Sequence, residues 1–205
     1  VSLERGEYVY LMKPPAAASS AKALEDLLPQ LLGSLRAPKT MRWDASGVRF
    51  ARPIRWLLAL YGTTPVQVTI GRLTSAPTTW VGGPLRPRAI PVRSVEGYLR
   101  DLAKAGVILD QDARRAWIEQ AVTRMAARAG GTAAQDMVSH GLLDEVTHLI
   151  EHPVPLAGAF DRTYLTLPRE VLLASMAKYQ RVFAMEQSSR LLPRFVAILD
   201  GSPRR

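Results

Sequence analysis

The sequence predicts an α+β fold, in which mixed and largely antiparallel sheets pack with helices. Apolar residues recur at helical spacing in some segments and at every second position in others. These segments follow one another without the regular strand–helix alternation of a parallel α/β fold. Glycine and proline, with 14 and 15 of the 205 residues, separate them. A chain of this length can bury roughly 70% of its unfolded surface, so a substantial core is available.

The first predicted elements are a strand and a leucine-rich helix. Glu7–Lys13 is rich in β-forming residues and ends at Pro14. Leucines then recur at helical spacing from Leu24 to Leu35, and a proline at position 38 predicts that this helix ends between residues 33 and 37. Pro29 lies inside the pattern, so we expect it to kink or split the helix.

Two strands and a long crossing are predicted next. Ile54–Tyr61 and Val66–Ile70 flank the turn-forming segment Gly62–Pro65, and the second run alternates apolar and polar residues. Thr74–Val92 contains four prolines and two adjacent glycines, which indicates an extended, loop-rich segment. A structured loop of this length is typically functional or covered by a partner.

The second half of the chain is predicted to contain both helices and strands. Ser94, and Asp110 or Asp112, are suitable N-cap residues, and Pro168 suits the first turn of a helix. Helices are expected at about 95–105, 112–129, 142–150 and 169–180, and strands at 107–109, 153–160, 182–186 and 194–199. We place a domain boundary between a strand-rich basic domain, 1–93, and an α+β domain, 94–205, although a single domain is compatible with the same pattern.

The chain is strongly basic. Its formal net charge is +9, and arginine outnumbers lysine by 22 to 5. A basic excess of this size favours an anionic partner such as RNA, DNA or an acidic membrane surface. Arginine provides a planar fork for phosphate oxygens. A GC-rich genome would produce the same preference for arginine without any functional cause.

The composition also excludes several classes of function. The chain has no cysteine, which excludes disulfides, thiolate nucleophiles and cysteine-ligated zinc and is typical of a reducing compartment. No apolar run reaches the roughly 18 residues of a membrane span. The first residues, Val1–Arg5, lack the apolar core of a signal peptide. We therefore expect a cytoplasmic protein without membrane contact.

The most informative segment lies between residues 36 and 56. Six basic residues and three aromatic rings occur there with one acid, Asp44. Basic groups interleaved with flat rings suit a surface that holds a phosphate backbone while the rings pack or stack beside it. The alternative is a solvated basic edge above a core that contains the rings. The basic residues are Arg36, Lys39, Arg42, Arg49, Arg52 and Arg55, and the rings are Trp43, Phe50 and Trp56.

Residues suited to catalysis or metal binding are not evident in the sequence. His148 and His152 are four residues apart, but Pro153 is expected to end the helix there, so we predict no metal site. His140 follows Ser139, yet sequence adjacency does not define a catalytic triad. The sequence contains neither a glycine-rich phosphate loop nor a nucleophile elbow. We expect no catalytic site and no cofactor on this chain.

Several short blocks together resemble the β subunit of the bacterial tetrameric glycyl-tRNA synthetase. Each block is short, but their order and spacing along the chain follow that family. The family patterns are K-S-M-R-W, F-x-R-P-x-x-W-L-x-A-L-x-G, L-x-E-V-T, L-P-x-E-V-L, S-M-x-x-x-Q and L-L-P-R-F. The matching blocks are, in the same order, Lys39–Trp43, Phe50–Gly62, Leu143–Thr147, Leu167–Leu172, Ser175–Gln180 and Leu191–Phe195.

The resemblance implies part of an enzyme that activates glycine with ATP and esterifies it to tRNA. In that family the aminoacylation site, with its ATP and Mg²⁺, lies on a separate α subunit. The β subunit is the partner that handles tRNA, and it continues into further helical and anticodon-binding parts. The expected partners of this chain are therefore tRNA, the α subunit and the remainder of the β subunit, within a heterotetramer.

The expected RNA contacts are basic residues in two parts of the chain. Pairing with acids inside the fold is the alternative for each of them. Trp43 and Trp56 are expected in the core rather than stacked on bases. The predicted phosphate contacts are Lys39, Arg42, Arg49, Arg52, Arg55, Lys178 and Arg181.

The chain departs from the family pattern at three places. Thr78–Leu85 stands where the family has a T-T-R-G-H-R-F-like run, and Arg55 and Tyr179 stand where histidine is common. Two alternatives to tRNA contact therefore stay open: a structural module that docks the α subunit, and a diverged paralogue that does not bind tRNA. An editing hydrolase is disfavoured because a pocket that fits glycine excludes larger amino acids sterically.

Overall fold

The computed structural model describes residues 2–3, 6–7, 19–82, 87–134 and 141–201. Helices and several small antiparallel sheets form within these ranges, which confirms the α+β fold class. The chain divides into two compact units. The first comprises Val1–Thr79 with Ile90–Tyr98, and the second comprises Trp80–Ala89 with Leu99–Arg205. The predicted division into 1–93 and 94–205 stays a prediction.

The N-terminal part contains a short antiparallel pair and one long helix. Strand β1 (Ser2–Leu3) pairs with β2 (Gly6–Glu7), and the rest of the predicted strand 7–13 lies outside the described residues. Helix α1 (Ser20–Ser34) begins after Ser19, whose hydroxyl accepts the Lys22 N–H at 3.3 Å. The helix continues through Pro29, so Pro29 does not split it, and the alternative expectation of a kink stays a prediction. The leucines on both sides of Pro29 are strong helix formers, which favours propagation past the one missing hydrogen bond.

Two-residue ribbons replace the longer strands predicted after α1. Strand β3 (Leu60–Tyr61) pairs with β4 (Thr64–Pro65), and β5 (Thr69–Ile70) pairs with β6 (Leu73–Thr74). The tight turn after Tyr61 is thus confirmed, but the predicted strand lengths are wrong.

A serine side chain explains why the second ladder is short. The Ser75 hydroxyl accepts the Val68 N–H at 2.9 Å and donates to the Val66 carbonyl at 2.7 Å, so it occupies backbone groups that a strand partner would otherwise use. The predicted alternation still holds, because Val66 and Val68 are each only 2% exposed while Gln67 between them is exposed.

The proline-rich crossing contains a β ribbon. Strand β7 (Thr78–Val81) and strand β8 (Arg88–Pro91) form a two-stranded sheet within the predicted loop 74–92. Residues 83–85, the last three of the eight residues that depart from the family pattern, lie outside the described residues, whereas 78–82 are described.

The predicted helices of the second half are confirmed. Ser94 accepts the Gly97 N–H at 3.1 Å, and Asp110 accepts the Ala113 N–H at 2.7 Å, so both act as N-caps. Gly106 follows α2 with φ of +84°, and a Cβ there would collide with the His152 ring, so glycine is required on both counts. The helices are α2 (Val95–Lys104), α3 (Gln111–Arg128), α4 (Leu142–Leu149), a 3₁₀ helix (Arg162–Thr166), α5 (Arg169–Ala174) and a π-helix (Ser175–Gln180).

A four-stranded antiparallel sheet organises the second unit. Its order is β10-β12-β11-β9, and α3 and α4 contribute to the core beside it. Phe183, Ile118, Leu143 and Val196 are among the fully buried side chains of that core. The strands are β9 (Thr132–Ala133), β10 (Pro153–Ala159), β11 (Phe183–Gln187) and β12 (Arg190–Asp200).

The prediction of a strand at 107–109 is wrong. The Ile108 N–H donates to the Glu151 carbonyl at 2.9 Å, but no ladder forms in this described segment. The carbonyls of Ile108 and Leu109 instead accept hydrogen bonds from the guanidinium of Arg114. A side chain has therefore taken the backbone acceptors that a neighbouring strand would need.

Candidate nucleic-acid interface

The basic segment 36–56 folds back on itself in the first unit through one antiparallel bridge. Met41 and Phe50 exchange both backbone hydrogen bonds, with N···O distances of 2.9 and 3.3 Å. This register places Arg42 and Arg49 on adjoining positions of the two segments. Arg49 Nε donates to Thr40 Oγ1 at 3.1 Å, so the Arg49 side chain lies on the face of the ribbon that Thr40 and Arg42 share.

Asp44 shapes the turn that joins these two segments. Its carboxylate accepts the backbone N–H of Ser46 at 2.8 Å and the Ser46 hydroxyl as well. These hydrogen bonds, the hydroxyl bond first, lower the pKa of Asp44, and the charge of Arg72 lowers it further. The one acid of the segment is therefore committed to local turn structure and does not pair with a neighbouring arginine.

The five predicted contacts of this segment are all exposed. Lys39, Arg42, Arg49, Arg52 and Arg55 form no ion pair with any acid in the described ranges, although Asp44 lies among them in sequence. Like charges opposite each other on a ribbon repel unless an anion lies between them. The arrangement suits an anion such as a phosphate group, which two guanidinium forks can hold together.

A cleft of about 600 Å³ adjoins this ribbon within the first unit. Its lining includes the side of α1 near its end, together with Arg36, Arg49, Thr40, Phe50 and Ile54. It combines two cations with apolar surface, and no acid among the described residues lines it. Arg36 was not among the predicted contacts. Its presence in the basic segment of the sequence was the available signal, but only the fold brings it to the same cleft as Arg49.

The aromatic residues of the segment do not form a buried core. Trp56 is 38% exposed, and the guanidinium carbon of Arg55 lies 5.6 Å from the centroid of its ring. Trp43 and Phe50 are half-buried. The expectation of a core position is thus wrong for Trp56, because its ring lies at the surface beside the exposed Arg55 guanidinium.

The two predicted contacts of the second unit have different surroundings. Arg181 Nε lies 2.6 Å from Glu145 Oε1, so this guanidinium forms an ion pair with a carboxylate of its own unit, and both side chains are exposed. Lys178 is exposed, and its ammonium lies 5.7 Å from the centroid of the Tyr179 ring. Arg181 and Glu145 are 36 residues apart, so no local pattern in the sequence could predict their pairing.

The histidines provide no metal centre in the described part of the chain. His148 Nδ1 lies 2.8 Å from the Asp144 carbonyl, which places its ring against its own helix. No group of three or more histidine and acidic side chains comes together within the described ranges, and His140 lies outside them. No helix of the described residues is long and apolar enough to cross a membrane.

Comparison with known proteins gives consistent matches along the whole chain. A family model described as the glycyl-tRNA synthetase β subunit matches residues 1–205. The glycine–tRNA ligase β subunit of Moorella thermoacetica is 38% identical over 198 residues, which is 96% of this chain, and that of Syntrophomonas wolfei is 39% identical over 197 residues. The glycine–tRNA ligase of Chlamydia trachomatis is 35% identical over 203 residues.

These relatives are much longer than the chain. The match covers 28% of the Moorella and Syntrophomonas proteins and 20% of the Chlamydia protein. The chain therefore spans between a fifth and three tenths of the length of the curated relatives that it matches.

Proposed function

Because the chain belongs to the glycyl-tRNA synthetase β-subunit family, we propose that it is a tRNA-contacting, non-catalytic portion of glycine–tRNA ligase. Glycine activation, with its ATP and Mg²⁺, would take place on a separate α subunit. The chain would support that reaction by holding tRNA through its phosphate backbone.

The observation that carries this proposal is the set of exposed arginines around the Met41–Phe50 bridge. Arg42, Arg49, Arg52 and Arg55 are exposed and form no ion pair with an acid among the described residues. An arginine that only stabilised the fold would typically pair with a carboxylate or with carbonyls, as Arg114 does. Arg49 uses its Nε for Thr40 and Arg55 lies over the Trp56 ring, but none of the four guanidinium groups is neutralised by a described acid, so they are available for phosphate oxygens.

The test is the salt dependence of tRNA binding. The 205-residue chain should bind a glycine tRNA transcript with an affinity that falls steeply as salt concentration rises, because bound phosphates release their counterions. The double substitution R42A/R49A should lower the slope of log affinity against log salt by up to about one unit for each phosphate contact removed.

A matched control removes the same kind of charge elsewhere. Arg124 is an exposed arginine of α3 in the second unit, so R124A should leave the slope nearly unchanged. A flat salt response of the unsubstituted chain, or equal slopes for R42A/R49A and R124A, would contradict the proposal.

A second function, docking of the α subunit, is favoured by one observation on α1. Leu27, Leu31 and Leu35 are exposed and spaced four residues apart, so they form one apolar stripe. No residue of α1 is buried. Leu35 also lines the cleft beside the basic ribbon, but Leu27 and Leu31 do not, so docking through these two leucines is compatible with tRNA contact by the ribbon.

A further inference from the structure

A second cavity, which we call the aromatic pocket, lies within the second unit and has a volume of about 380 Å³. Three aromatic rings from three separate elements line it: Phe160 after β10, Tyr164 of the 3₁₀ helix and Phe195 of β12. Met176 forms part of the same wall. A volume above roughly 300 Å³ with an apolar, aromatic lining is typical of small-ligand sites. The arginines assigned to tRNA contact in the first unit do not line this pocket.

The π-helix determines which polar groups reach the pocket. Ser175 and Gln180 are the first and last residues of the π-helix, and both line the cavity. Hydrogen bonding from residue i to i+5 widens the turn, so residues five apart lie on the same side. An α-helix would turn Gln180 away from Ser175. Single π turns occur frequently at functional sites.

The π turn ends in a strained conformation. Arg181, the residue that follows it, has φ of +52°, which is unfavourable for a residue with a side chain. The Val182 N–H then donates to the Met176 carbonyl at 3.0 Å and closes the turn. The pocket geometry is thus maintained at a conformational cost, as is common at binding sites.

The rings are held by their own local contacts. Gly158 lies opposite Phe195 in the β10–β12 register, and a Cβ on Gly158 would collide with the Phe195 ring. The Asp161 carboxylate caps the 3₁₀ helix by accepting the Thr163 N–H at 2.9 Å and its hydroxyl at 2.8 Å. This cap positions Tyr164, which is 56% exposed at the pocket. The aromatic surface is therefore preformed and open to solvent.

The polar groups of the pocket have no partners in the described part of the chain. No hydrogen bond to a described residue is formed by the hydroxyls of Ser175 and Tyr164 or by the side-chain amide of Gln180. An amide that both donates and accepts can recognise the edge of a nucleobase. Cations are close in sequence to the lining, since Arg162, Lys178 and Arg194 are exposed and form no ion pair with a described acid.

We propose that the aromatic pocket binds one unstacked nucleobase of a single-stranded RNA segment. The base packs against the rings of Tyr164, Phe160 and Phe195, and Gln180 and Ser175 form hydrogen bonds with its edge. Lys178 and Arg162 lie beside the flanking phosphates. The inference rests on the proposed function only in taking RNA as the source of the nucleotide. Aromatic stacking of this kind is the usual means by which proteins hold unpaired bases.

The test uses a short unstructured RNA that carries the fluorescent base 2-aminopurine. Binding to the 205-residue chain should quench the fluorescence as the base stacks on the rings. Y164A should weaken binding about tenfold, which is the usual effect of removing one stacking ring. Y179A is the matched control, because Tyr179 is also exposed on the neighbouring π-helix but does not line the pocket. It should bind nearly as tightly as the unsubstituted chain.

A second variant blocks the pocket without removing a lining ring. Ser175 is exposed, so S175F should fill the cavity with little effect on folding, which circular dichroism would verify. It should abolish quenching. Unchanged quenching in S175F, or equal losses in Y164A and Y179A, would overturn the proposal. It would also be overturned if S175F lost the α subunit in a pull-down while RNA binding persisted, since a protein side chain would then be the occupant.

The test of the aromatic pocket and the test of tRNA contact by the first unit can succeed or fail independently. A loss of quenching in Y164A, together with a salt slope that R42A/R49A does not change, would support the pocket and contradict phosphate contact by the first unit. A changed salt slope in R42A/R49A, with full quenching in Y164A, would support tRNA contact and overturn the pocket.

Discussion

Arg114 shows how one residue can organise a segment without regular structure. Arg114 lies in α3, and only 8% of its surface is exposed. The guanidinium donates to the Thr147 carbonyl at 2.8 Å, the Ile108 carbonyl at 2.5 Å and the Leu109 carbonyl at 3.1 Å. A buried cation without a carboxylate is stable here because carbonyl oxygens satisfy its donors. This contact connects α3 to both α4 and the segment before α3.

Replacing Arg114 should therefore destabilise the second unit. R114M should lower the free energy of unfolding by about 3 kcal/mol, because one buried and two partly buried carbonyls lose a charged donor. R115M is the neighbouring control. Arg115 is exposed and pairs with Asp144 at 2.8 Å, and solvent screens such an exposed pair, so R115M should change stability much less than R114M. Urea denaturation measures both variants, and equal losses would contradict the assigned role of Arg114.

The lowered pKa of Asp44 predicts that the stability of the turn between Arg42 and Arg49 depends on pH. Hydrogen bonds from Ser46 lower the pKa of Asp44 in the folded chain. The stability that the Asp44–Ser46 hydrogen bonds give to the folded chain is therefore fully present above the ordinary aspartate pKa of about 3.9. It is lost as the pH falls through the lower pKa of the folded state.

The measurement is a titration of the Ser46 amide resonance by NMR. The resonance should move only below the ordinary aspartate pKa, and D44N should abolish that movement because the amide does not titrate. A midpoint at or above the ordinary aspartate value would show that the Asp44 carboxylate is not held by Ser46.

The hairpin between β11 and β12 is strained at both residues of its turn. Gln187 pairs with Arg190, so Ser188 and Ser189 form a two-residue loop. Their φ angles are +50° and +65°, as a type I′ turn requires. Serine is an unusual choice there, since asparagine and glycine adopt these angles at lower cost.

Optimising this turn should stabilise the whole second unit. S188N/S189G should raise the free energy of unfolding by about 1 kcal/mol, because it removes left-handed strain from residues with side chains. S188A/S189A is the control and should give no gain. The midpoints of thermal unfolding compare the two variants. A lower midpoint for S188N/S189G than for the unsubstituted chain would show that the serines contribute contacts of their own.

At the scale of the whole molecule, two surfaces of the first unit have opposite character. The ribbon with Arg42 and Arg49 is cationic, whereas the α1 stripe of Leu27, Leu31 and Leu35 is apolar. An apolar stripe suits another protein, and a cationic ribbon suits a nucleic acid.

Separate pull-downs with the α subunit and with tRNA should distinguish the two surfaces. L27Q/L31Q, which leaves the cleft-lining Leu35 in place, should lose capture by the α subunit, because the apolar contact is removed, and should keep the salt slope of tRNA binding. R42A/R49A should show the opposite pattern. Loss of both activities in either variant, with folding intact by circular dichroism, would contradict two independent surfaces.

Local signals account for most of the elements that could be predicted. Ser94 and Asp110 marked helix starts correctly, because capping depends on residues three positions apart. The strands around residue 60 were predicted too long, because Ser75 supplies hydrogen bonds that a sequence pattern does not reveal. The arginine-rich segment could be identified as a candidate site, but the pocket around Tyr164 could not, since its lining comes from positions 160 to 195.

The α+β class, the positions of the helices and the family of the chain follow from the sequence alone, because residue periodicity, capping and short ordered motifs are local properties. Which charges remain available was decided only in the tertiary structure. Arg181 pairs with Glu145, 36 residues away in sequence, and Arg114 donates to the carbonyl of Thr147, 33 residues away. Arg42 and Arg49 form no ion pair with a described carboxylate. Such pairings depend on how distant helices and strands pack, which no spacing along the chain encodes.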